Sequence, residues 1–164
     1  MLTITADTCA GQTLAAAATC TVTVQFRPAA PPSAKSASLT VSGTPGGAIA
    51  AQLNGVALAP AQLSLTPSSP NFGSVVAGSS GSPTTLTVTN TGGVATGAIT
   101  AMRGGADMSD FAITSNTCST LSPGVSCLIG VTFTPAAIGA KTASLTVTSS
   151  PGGSAAATLS GTGV

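Results

Sequence analysis

The chain has 164 residues and a formal net charge of +1, and only 4% of its residues are charged: Arg27, Lys35, Arg103 and Lys141 against Asp7, Asp107 and Asp110, with no Glu, His, Trp or Tyr. An ordinary domain carries about 25% charged residues; here 21 Ser and 27 Thr supply the polar surface instead. Without His and Glu the usual general bases and most metal-ligand sets are missing, so no catalytic, cofactor-binding or metal residue is expected.

Other classes fall away for related reasons. Four scattered cations and 2% aromatics offer neither the electrostatic footprint nor the stacking platform that nucleic acid requires. No apolar run reaches the roughly 18 residues that span a bilayer.

From the start, Leu2-Thr3-Ile4-Thr5 reads as strand rather than as a secretory leader, which predicts an excerpt of something longer. The Ala run 15–18 reads as a loop. Cys20 to Pro28 alternates apolar and polar residues up to Phe26, and Lys35 to Val41 does the same. Pro45-Gly46-Gly47 is a turn signal. Further on, Ser68-Ser69-Pro70-Asn71 and Gly78-Ser79-Ser80-Gly81 mark turns, and residues 84–90 alternate strictly, with Leu86 and Val88 inward and Thr85, Thr87 and Thr89 outward. After the turn signals at Asn90-Thr91-Gly92-Gly93 and Pro123-Gly124, the same period of two places Cys127, Ile129, Val131 and Phe133 on one face. Next come Ala143, Leu145 and Val147 and, past Pro151-Gly152-Gly153, Ala155, Ala157 and Leu159. Period-two patterns rich in Thr and Val predict an all-β chain.

An internal repeat organises these elements. Cys20-Thr21-Val22-Thr23-Val24-Gln25-Phe26-Arg27-Pro28 lies over Cys127-Leu128-Ile129-Gly130-Val131-Thr132-Phe133-Thr134-Pro135 at an offset of 107. Lys35 to Val41 lies over Lys141 to Val147 at 106, and Cys9 and Ile4 lie over Cys118 and Ile113 at 109. A period near 107 suits a sandwich domain of about 100 residues and is too long for a solenoid. Residues 58–164 are therefore expected to form one complete Ig-like β-sandwich repeat with about seven or eight strands. Residues 1–57 are expected to form the C-terminal half of another, with about three strands. Its front half would precede Met1, so the fold expected is tandem Ig-like β-sandwich domains, one complete and one N-terminally truncated.

Cys9 and Cys20 enclose ten residues, and Cys118 and Cys127 enclose eight, at the same place in each repeat. Zinc would need close spacing such as C-x-x-C, and a catalytic thiol would need a base; the chain has neither. A pair that recurs with the repeat is read as a disulfide, Cys9–Cys20 and Cys118–Cys127, each contributing about 2–3 kcal/mol by loop closure. Disulfides place the chain in an oxidising compartment, extracellular or at the cell surface.

The pattern Phe111-x-Ile113, Cys118, Leu121-x-x-Gly124-x-x-Cys127-x-Ile129-x-Val131-x-Phe133-x-Pro135, Gly139, Ala143-x-Leu145 and Leu159-x-Gly161 resembles the bacterial surface modules called choice-of-anchor D. These are relatives of the abnormal-spindle/Hydin (ASH) immunoglobulin-like domains. Leu63-x-Leu65, Pro70-x-Phe72-Gly73-x-Val75, Gly78 and Leu86-x-Val88-x-Asn90-x-Gly92 resemble the opening of the same family. The resemblance covers residues 60–164, with 1–57 as the matching back half, and implies a tandem Ig-like module of large bacterial surface proteins with no enzymatic activity of its own.

Candidate sites are few. Asp107-x-x-Asp110 is the only paired carboxylate; it invites a Ca²⁺ reading but lacks a third acid, and solvated loop acids are the plainer expectation. Arg103 before Gly104-Gly105 reads as an exposed loop cation rather than an anion contact. Lys35 and Lys141 recur at the start of one strand, as edge-protecting charges would. No Asn begins an N-x-Ser/Thr acceptor. Two functions follow. The first is a structural repeat of a bacterial stalk or self-assembling fibre, whose partners are copies of itself or neighbouring Ig-like repeats. The alternative is an adhesin-type module that recognises glycan or protein through sandwich-end loops. An adhesin would cluster aromatics or Arg in one loop set, whereas Phe26, Phe72, Phe111 and Phe133 all sit at strand-pattern positions.

Overall fold

Alternating Thr and aliphatic residues fold as strands throughout. The structure, a computed structural model, describes residues 2–29 and 31–164. It divides into two units, Met1–Ala59 and Pro60–Val164.

The second unit is an eight-stranded sandwich. Its strands are β5 (Leu63–Thr66), β6 (Asn71–Val75), β7 (Thr84–Asn90), β8 (Thr100–Gly104), β9 (Phe111–Asn116), β10 (Ser126–Phe133), β11 (Gly139–Ser149) and β12 (Gly153–Gly163), with a single 3-10 turn at Met108–Asp110. One sheet runs β5-β7-β10-β9 and the other β6-β12-β11-β8. All neighbours are antiparallel except β12 and β6, which run parallel.

The period-two reading holds strand by strand. Leu86 and Val88 on β7, Ile129, Val131 and Phe133 on β10, and Leu145 and Val147 on β11 lie fully buried in one core between the sheets. Burying each such side chain contributes about 1.5–3 kcal/mol. In this core, where β9 begins and β10 ends, Phe111 stacks on Phe133 with centroids 4.7 Å apart, and Phe72 meets Phe111 edge-on at 5.3 Å.

Among its described residues the first unit holds four strands rather than the three expected: β1 (Leu2–Asp7), β2 (Val22–Phe26), β3 (Ser33–Gly43) and β4 (Gly47–Ala57). They form two two-stranded sheets, β1-β2 and β3-β4. The additional strand is Gly47–Ala57, which follows the Pro45-Gly46-Gly47 turn and whose Ala-rich start carries no clear period-two signal. These pairings reproduce β9-β10 and β11-β12, including a register irregularity in the first pair (between Ile4 and Ala6, as between Gly130 and Val131). Across the two small sheets, the ring of Phe26 fills the space beside Gly55, where an added Cβ would stand 2.8 Å from the ring.

Candidate functional site

The two cysteine loops are built by the same bonds. Cys9–Cys20 and Cys118–Cys127 are both disulfides, each with Cα atoms 5.1 Å apart. Ahead of each, a short side chain turns the chain out of its strand: Asp7 Oδ1 accepts from the Cys9 N–H at 2.7 Å, and Asn116 Oδ1 accepts from the Cys118 N–H at 2.8 Å. Next, a threonine bridges to the following strand. Thr8 Oγ1 accepts from the Thr21 N–H at 2.8 Å, and Thr117 Oγ1 accepts from the Leu128 N–H at 2.9 Å. Ordered side-chain bonds of this kind hold a connection that glycine-rich loops leave loose.

The acidic pair does not lie free in solvent. Lys141 Nζ stands 3.8 Å from Asp107 and 3.6 Å from Asp110, and Asp110 is only 5% exposed. Asp107 Oδ2 also accepts from the Thr142 N–H at 2.8 Å. The expectation of solvated loop acids is corrected on this point, because both acids face the Lys141 ammonium and Asp110 is buried. Lys141 itself stands at the start of β11, ahead of the stretch Ser144–Thr148 that pairs with β8, with its ammonium turned to these two acids.

Arg103 is neither an anion contact nor a loop cation. It sits on β8, and its Nη1 donates to the carbonyls of Met108 and Phe111, tying the 3-10 turn to the strand beside it.

Some residues that shape the opposite end of the sandwich, where β7 ends and β10 begins, had no sequence signal beyond a turn. Asn90 is fully buried. Its Nδ2 donates to the carbonyls of Val94 and Leu121, and its Oδ1 accepts from the N–H groups of Gln62 and Gly92. Asn at a strand end before Thr-Gly-Gly was the only available hint of such a knot.

In the first unit a cleft of about 460 Å³ lies between the Cys9–Cys20 loop and the β3–β4 turn, lined by Gln12, Leu14, Val41, Thr44 and Ile49 among others. Its walls carry no charged side chain, and its hydroxyls are those of Thr13, Ser42 and Thr44. Among the described residues no three His, Cys, Asp or Glu come together to hold a metal, and no helix is long and apolar enough to cross a membrane.

Comparison with known proteins gives one family. Residues 61–162 match the model of the HYDIN/CFA65/VesB-like Ig-like domain. No curated protein matches the chain. Among solved structures it is similar to the ASH/PapD-like domain of human CEP192 (18% identity, TM-score 0.47, covering 63% of this chain and 85% of that one). It is also similar to two Vibrio cholerae proteins. One is the secreted serine protease VesC (24% identity, TM-score 0.46, 57% of this chain) and the other the VesB protease (22% identity, TM-score 0.46, 62% of this chain). The chain spans only 21% of VesC and 32% of VesB. With the match running across both sheets of the second unit, the chain belongs to the HYDIN/CFA65/VesB-like Ig-like domain family.

Proposed function

We propose that this chain is a non-enzymatic extracellular structural module, a repeat of a bacterial cell-surface stalk or self-assembling fibre. In this reading residues 1–57 are the back half of one Ig-like repeat and 58–164 a complete one.

The observation that carries it is the duplicated construction of the disulfide loop, from Asp7 and Asn116 through Thr8 and Thr117 to the bonded cysteines. A tandem array reuses one unit and its joints, as repeat architectures do. The two disulfides support an oxidising compartment.

The partners in this reading are copies of the chain or neighbouring Ig-like repeats. Faces made of Ser and Thr pack without desolvating ions, which costs several kcal/mol per ion, and a net charge near zero favours association. Light scattering on size-exclusion fractions tests this. The mass is expected to rise with concentration and to stay high in about 0.5 M salt, because contacts without ion pairs are not screened. A constant monomer mass at every concentration goes against it.

A second reading, an adhesin-type module, draws on the cleft bounded by Leu14, Val41 and Ile49. A glycan or protein array giving a specific hit that is lost on Ile49→Asp would favour it over the structural role.

A further inference from the structure

The first unit has three strand edges that its counterpart in the second unit does not leave open. In the second unit β10 pairs with β7 (Ile129 opposite Leu86), β12 pairs with β6 (Ser160 opposite Asn71), and β11 pairs with β8 (Leu145 opposite Arg103). Among the described residues the matching strands β2, β4 and β3 pair only within β1-β2 and β3-β4. The inward side chains show the consequence. Val147 is fully buried, whereas its counterpart Val41 is 38% exposed, and Ile49 is 75% exposed.

The electrostatics are equally one-sided. Lys35 is the repeat counterpart of Lys141. Among the described residues both ion pairs belong to Lys141, whose acids Asp107 and Asp110 stand on the 3-10 turn and just before it. The remaining carboxylate, Asp7, is turned to the N–H groups of Cys9 and Ala10. Around Lys35 lies an open depression of about 460 Å³ lined by Ala34, Ser36, Asn54, Gly55 and Val56. At the equivalent place in the second unit, Ser160 and Thr162 lie beside β6, and Thr142 bonds Asp107.

Resting on the half-repeat reading above, we propose that the open side of residues 1–57 is a docking surface for a front-half segment of the same repeat, one equivalent to residues 60–110. Its Asp-x-x-Asp pair keys onto Lys35. The segment adds one strand antiparallel to β2, one parallel to β4 and one antiparallel to β3, and it brings the two carboxylates that the Lys35 ammonium lacks. Backbone pairing gives the affinity and the lysine fixes the register, since a one-residue slip would turn every apolar side chain of the added strands to the wrong face.

The test extends the full chain by placing a copy of residues 60–110 directly before Leu2 and reads amide hydrogen exchange in residues 22–26 and 47–57. Exchange there is expected to slow about tenfold or more on extension. Lys35→Glu is expected to remove most of that gain in the extended chain, to leave the unextended chain's rates unchanged, and to be compensated by Asp→Lys at both acids of the added copy. Protection on extension that Lys35→Glu leaves intact would overturn the lysine key and leave the half-repeat reading standing. No protection on extension would overturn both. Concentration-dependent protection of the same amides in the unextended chain, unchanged by extension, would overturn the proposal by giving that face to a second copy.

Discussion

Gly161 faces Phe133 so closely that a Cβ built on it would stand 2.6 Å from the ring, and Gly55 faces Phe26 in the same way at 2.8 Å. The same glycine–phenylalanine contact thus joins the two layers in both units, but Phe133 is fully buried and Phe26 only half-buried.

The difference in burial predicts different costs for one substitution. Gly161→Ala forces a ring packed on all sides to move and is expected to destabilise the second unit by about 1–3 kcal/mol. Gly55→Ala should cost clearly less, because the Phe26 ring has room to swing outward. Guanidinium unfolding of both variants checks this; equal losses would argue that the Phe26 ring is as confined as that of Phe133.

The Asn90 knot should be sensitive to chemistry as well as to size. Asn90→Ala strips partners from four backbone groups and is expected to cost about 3 kcal/mol. Asn90→Asp keeps the shape but replaces a donating amide by oxygen, facing the Val94 and Leu121 carbonyls, so it should be no milder than alanine. A thermal-melt series in which Asn90→Asp behaves like wild type would refute the donor role.

Asp110 and Lys141 are expected to behave as a pair. Lys141→Met leaves the buried Asp110 without its counter-charge, a change worth about 3 kcal/mol or more in a buried setting, whereas Asp110→Asn leaves Lys141 with Asp107 at 3.8 Å and should cost less. Asp110→Asn and Lys141→Met combined should therefore cost less than the sum of the two single variants. A double-mutant cycle with no coupling would show that the 3.6 Å approach contributes nothing to stability.

These residues mark where sequence reading succeeds and where it stops. Leu86, Val88, Ile129 and Val131 announced the core because a strand's period of two shows locally which side faces inward. The disulfide pairs were legible because the repeat set Cys9 over Cys118 and Cys20 over Cys127. Asp110 and Arg103 gave no such signal. Their partners, Lys141 on β11 and the Met108 and Phe111 carbonyls, are fixed by how the turn after β8 folds back, which no local pattern encodes. The open edges of β2, β3 and β4 likewise became visible only once β6, β7 and β8 showed what the corresponding edges hold in the second unit.

The cysteines give a prediction about conditions. Intact mass under non-reducing denaturation should be about four hydrogens below the fully reduced chain, and reduction should lower the stability of each unit by about 2–3 kcal/mol. Four free thiols in protein recovered from an oxidising compartment would contradict both disulfides and remove the support they give to an extracellular placement.

Electron microscopy of the purified chain over a range of concentrations tests the structural role most directly. Linear assemblies that lengthen with concentration and persist in high salt are the predicted result. Monodisperse single particles at every concentration, with residues 1–57 exchanging as an unfolded chain, would contradict it.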